Sequence, residues 1–182
     1  AVTLGTPVEG IRKRFGMFDQ NGDGFWFEDS GVWVDGVPQY NCTVSNGGAD
    51  IAVPRSEWNG DKLDGTSSSG ITADATKIQL VNIEYEWYGA GQVKFGWVID
   101  GATHVVHTHQ NANRYDRPWA QTPFLPIRVE MEALSTVAGG PYTMLQGSNS
   151  VISEGTVGKL GIAANISAPF YGTRMANALS SA

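Results

Sequence analysis

Residues 78–109 read IQLVNIEYEWYGAGQVKFGWVIDGATHVVHTH. Successive side chains of a β-strand point to opposite faces. In the first third, Val81, Ile83, Tyr85 and Trp87 share one face, while Asn82, Glu84 and Glu86 share the other. Further on, Val93, Phe95, Trp97 and Ile99 fall together, opposite Gln92, Lys94 and Gly96. A hairpin centred on Gly89-Ala90-Gly91 then pairs Trp87 with Val93, Tyr85 with Phe95, and Ile83 with Trp97. The same register sets Glu86 against Lys94, a favourable cross-strand pair on the outside. Asp100-Gly101 is a strong two-residue turn. It pairs Trp97 with His104 and Phe95 with Val106, leaving His107 beside Lys94 on the outer face. The stretch is thus expected to be a three-stranded antiparallel meander.

The rest of the chain reads the same way. Strand-like segments at 11–18, 24–28, 31–36, 39–45, 50–54 and 126–134 are separated by Asn21-Gly22-Asp23-Gly24, Asp35-Gly36 and Asn46-Gly47-Gly48. Close strand spacing with such turns indicates a sandwich or barrel. There are 23 glycines in 182 residues and 10% aromatics, which disfavours both a disordered chain and a helical bundle. The expected fold is an all-β antiparallel sandwich, jelly-roll-like, over 11–132. Residues 1–10 are expected to form an extended arm. Residues 133–182 hold only Glu154, Lys159 and Arg174 as charges. So poor a surface suggests a C-terminal assembly segment covered by other subunits.

Twelve Lys and Arg against 18 Asp and Glu leave a net charge of −6. That disfavours nucleic acid and anionic membranes as partners. No run approaches the ~20 apolar residues of a membrane-spanning helix. The start, AVTLGTPVEG, lacks the basic and apolar regions of a secretory signal. Without an initiator Met, the chain is expected to be processed or part of a longer polypeptide. Cys42 is the single cysteine, so no intrachain disulfide is expected, and it reads as a small buried hydrophobe.

Several constellations suggest chemistry, each beside a plainer reading. Asp19, Asn21 and Asp23 match the first half of a calcium loop, but Ser30 stands where an EF-hand needs its Glu. An ordinary turn is favoured over a structural calcium site. His107 and His109 share a strand face at ligand-like spacing, with Glu84 or Glu86 as possible third ligands. Exposed or packed histidines are the plainer reading. The pairs Glu84/Glu86 and Glu130/Glu132 resemble glycosidase carboxylates, which work at about 5 Å or about 6.5–9.5 Å apart. Solvated acids partnered by Lys94 and Arg128 are the simpler view. Trp26, Trp33, Trp58 and Trp119 are either core residues or sugar-stacking platforms. Glu84, Glu86, Lys94, His107 and His109 are therefore candidates for a ligand face. No catalytic residue, metal or cofactor is expected.

Residues 52–132 carry an ordered set of segments. W-N-x-D-x-L-D-G-T begins at Trp58, S-G follows at Ser69, and E-W-x-G-x-G-x-V-x-F-G begins at Glu86. H-x-N lies at His109 and T-P-x-L-P-I-R-x-E at Thr122. This set resembles a β-sandwich module of structural proteins from tailed bacteriophages and some large DNA viruses. The resemblance spans nearly half of the chain. It implies a non-enzymatic virion component, such as a capsid, fibre, baseplate or tail protein. Such a protein would be located in the virion, with homo-oligomeric and other virion proteins as partners. A carbohydrate-binding module, with or without calcium, is the alternative, with a glycan as partner. A glycoside hydrolase or lyase is a third reading.

Overall fold

In the computed structural model, residues 1–153 are described apart from 123 and 138, with the backbone alone at Trp87. One unit spans Ala1–Asn149, and Ser150–Ala182 forms a second. Most of the expected assembly segment, 154–182, lies outside the described residues.

Among the described residues the turn-rich alternating sequence folds into ten strands. They are β1 (Val2–Thr3), β2 (Ile11–Phe18), β3 (Gly24–Val34), β4 (Val37–Asn46) and β5 (Ala49–Pro54), then β6 (Leu80–Tyr85), β7 (Gln92–Ile99), β8 (Ala102–Gln110), β9 (Ile127–Ala133) and β10 (Leu145–Gln146). A five-stranded sheet has the order β5-β4-β3-β2-β9, and a three-stranded sheet the order β6-β7-β8. All pairings are antiparallel. Within each sheet consecutive strands are mostly neighbours, so the connections are meanders. Between the sheets the chain crosses twice, from β5 to β6 and from β8 back to β9, which lies beside β2.

Aromatic side chains join the two sheets. Phe27 of β3 meets Phe95 and Trp97 of β7 with ring centroids 5.2 and 6.2 Å apart, and Phe25 meets Tyr85 of β6 at 4.9 Å. Edge-on and tilted contacts of this kind suit the aromatic quadrupole. Trp119 closes against Phe25, and Trp58 against Phe27. Cys42 lies in the same core, where burial pushes its thiol pKa well up. The first ten residues belong to this unit. Val2 and Leu4 are core residues, and β1 pairs with β10. The N-terminal segment therefore lies along the domain at these positions and does not project as an arm.

The meander forms, with two corrections of register. In β6–β7, Tyr85 pairs with Val93, Ile83 with Phe95, and Val81 with Trp97. The hairpin is two residues longer than expected because Trp87–Gly89 makes a 3-10 turn with Tyr88 at φ 70°. Lys94 consequently faces Glu84 rather than Glu86. The Glu86 side chain instead accepts the Gln92 N–H at 3.2 Å and so braces the loop. A two-residue slip keeps every side chain on its expected face. In β7–β8, Trp97 pairs with His104 as expected, but Phe95 pairs with His107 and Gly96 with Val105. Val106 is the extra residue of a bulge. Beyond it the alternation is reset, so His107 and His109 turn inward and not outward beside Lys94. Both are buried, as is Val106.

Candidate functional site

The outer face of the five-stranded sheet carries an ordered set of charged and aromatic side chains. Arg12 and Arg14 of β2 stand opposite Glu132 and Glu130 of β9. Arg12 pairs with Glu132, Arg14 reaches Glu130 at 3.2 Å, and Arg128 reaches Glu130 at 2.9 Å. The Arg14 guanidinium lies 4.5 Å from the Phe18 ring centroid and 5.0 Å from that of Trp26, in cation–π geometry. Gly16 sits beside Trp26 in the register, and a Cβ there would strike the backbone of Phe25 and Trp26. Glu28, on the same face, is a buried acceptor. It takes hydrogen bonds from the Trp26 indole at 3.0 Å, the Asn41 amide at 2.9 Å and the Thr43 hydroxyl at 3.2 Å. The carboxylates of this face thus have specific partners. Glu130 and Glu132 belong to a structural ladder.

The candidate residues of the meander separate. Glu84 and Lys94 remain on the exposed face, 3.8 Å apart. Glu86 sits in the loop. His107 packs beside Phe95, ring centroids 6.3 Å apart, and His109 stacks on Tyr115 at 5.4 Å. Desolvation, aided by His109, lowers the His107 pKa to about 4. His109 is lowered by burial too. His107 Nδ1 accepts the Asn59 N–H at 3.4 Å. The Asn59 side chain also trades two hydrogen bonds with the Thr108 backbone, both 2.8 Å. The loop opened by Trp58-Asn59 therefore covers the edge of β8.

The Asp19 turn has a different task from the one its pattern suggests. Asp19 Oδ1 accepts the N–H groups of Asn21 and Asp23 at 2.8 and 3.0 Å. Asp23 is buried and accepts backbone N–H groups of Gly47 at 3.0 Å, Gln121 at 2.8 Å and Thr122 at 2.6 Å. Its carboxylate ties three loops together. Among the described residues no group of three or more His, Cys, Asp or Glu is arranged to hold a metal ion. Of the four tryptophans considered as sugar platforms, Trp26, Trp58 and Trp119 are buried.

An exposed apolar zone was not legible in the sequence. At the far end of the β3–β4 hairpin, Val32, Val34 and Val37 are each more than half exposed. Val32 also lines an open depression of about 510 Å³ with Gly10, Gly31, Leu134 and Val137. Gly31 has φ +69° at the bulge in β3, and a Cβ on it would meet the backbone of Ile11. Comparison with protein families, with curated proteins and with solved structures finds no match to this chain.

Proposed function

We propose that this chain is a structural component of a virion, acting through protein–protein contacts in an assembly. The observation that supports this most is the exposed Val32, Val34, Val37 and Leu134 zone at one end of the larger sheet. Exposed apolar patches of this kind mark interaction surfaces. The pairing of the charged ladder fits a scaffold role, as does the use of Asp23 and Asn59 to tie loops. The order of motifs in 52–132 supplies the virion reading. Electron microscopy and sedimentation of concentrated protein test it. Rings, sheets or discrete oligomers are expected, and Val34→Asp with Val37→Asp should abolish them. A monomer at every concentration and under every assembly condition would count against the reading.

Glycan binding is the second reading, favoured by one observation. Tyr88 is 84% exposed on the β6–β7 loop, and aromatic side chains at the surface stack on sugar rings. A glycan array with wild type and Tyr88→Ala separates the two.

A further inference from the structure

Lys13 and Asp29 are both fully buried, on the core side of the larger sheet. They stand directly opposite each other on β2 and β3. Lys13 Nζ lies 3.8 Å from Asp29 Oδ2, longer than a good charged hydrogen bond. Oδ2 has no hydrogen-bond partner. A buried ion pair is stable only when its remaining hydrogen-bonding capacity is satisfied, and this one is not. Beside the pair, Phe15 and Phe27 stack at 5.5 Å and keep the surroundings apolar.

Such a site shifts both groups toward their uncharged forms. Burial lowers the Lys13 pKa against the pull of Asp29, and burial raises that of Asp29 against the Gly31 N–H and Lys13. A free amine and a protonated carboxyl are the reactive forms for amide condensation. The polar neighbours suit that step. The Thr6 carbonyl accepts a hydrogen bond from Nζ at 2.6 Å and orients the amine. The Gly31 N–H donates to Oδ1 at 3.3 Å, where negative charge develops during attack.

We propose that Lys13 and Asp29 form an intramolecular isopeptide bond joining β2 to β3. Nζ attacks Cγ, and the Nζ–Cγ bond forms. The bond from Cγ to Oδ2 breaks, and Oδ2 leaves as water with its own proton and one from Nζ. Oδ1 stays as the amide oxygen. No electron is transferred to or from any other species, and no co-reactant is needed. Held proximity replaces the entropy cost of a bimolecular encounter, and the dry core disfavours the reverse hydrolysis.

Mass spectrometry of the denatured full chain decides the matter. The expected mass is that of the sequence less one water, and trypsin should leave a branched peptide joining Lys13 to the segment holding Asp29. Lys13→Arg should restore the full sequence mass. Asp29→Asn should reach the same product with loss of ammonia. Aspartyl-glycine sites, of which the chain has several, also lose water when they cyclise. A water deficit that persists in Lys13→Arg would therefore assign the loss to those sites and overturn the proposal. An intact sequence mass in wild type, with normal cleavage after Lys13, would likewise show an ion pair and no bond.

Discussion

Asp23 illustrates how a residue's role depends on what reaches it. In the sequence it belongs to a calcium-like turn, whereas in the fold it accepts backbone N–H groups from loops near residues 47 and 121. Asp23→Ala leaves these buried donors unpaired and should cost about 3 kcal/mol or more in a urea titration, with Asp23→Asn costing less. A chelator should leave the melting temperature unchanged, because the carboxylates of the turn are occupied by N–H groups. His107 makes a second residue-scale prediction. Its folded pKa of about 4 lies below the ordinary 6.5. The unfolded chain therefore binds the extra proton first as pH falls. Stability should be fully present above about pH 6.5 and decline between there and pH 4, by on the order of 3 kcal/mol. Denaturation midpoints at several pH values check this, and His107→Gln should flatten the slope in that window.

At the scale of elements, the meander separates a core face from a water face. Trp97 is buried against Phe27, whereas Lys94 is partly exposed beside an exposed Glu84. Trp97→Ala should cost ~3–5 kcal/mol. Lys94→Ala should cost less than ~1 kcal/mol. Equal losses in chemical denaturation would contradict the face assignment. The strand positions were legible because alternation and Asp-Gly turns are local signals. The bulge at Val106 was not, because its cause is remote in sequence. The N–H groups of Gly60 and Asp61 bind the carbonyls of Val106 and Val105, both at 2.9 Å. That contact joins positions more than 40 residues apart in the sequence.

At the scale of the whole molecule, the chain's first residues close the sandwich. Val2 and Leu4 sit in the core, and Val2 exchanges backbone hydrogen bonds with Gln79 at 2.9 and 2.7 Å. Deleting residues 1–4 should therefore destabilise the domain by about 2–5 kcal/mol, as the loss of buried aliphatic side chains does. A thermal melt of the truncated chain checks this. An unchanged melting temperature would restore the reading of a free arm. The ladder of Arg12, Arg14, Glu130 and Glu132 belongs to the same scale. Each half is visible as a charged run, RKR or RVEME, but nothing in either run names the other.

The sequence by itself determined the all-β class, the Asp-Gly and Asn-Gly turns and which side of each β6–β7 residue faces the core, since these follow from local residue patterns. The tertiary structure alone decided the pairing of β2 with β9, the inward turn of His107 and His109, and the enclosure of Lys13 with Asp29. Those depend on which segments meet across long stretches of chain. The free energy of such meetings comes from burial summed over many partners, and no local pattern of residues encodes it.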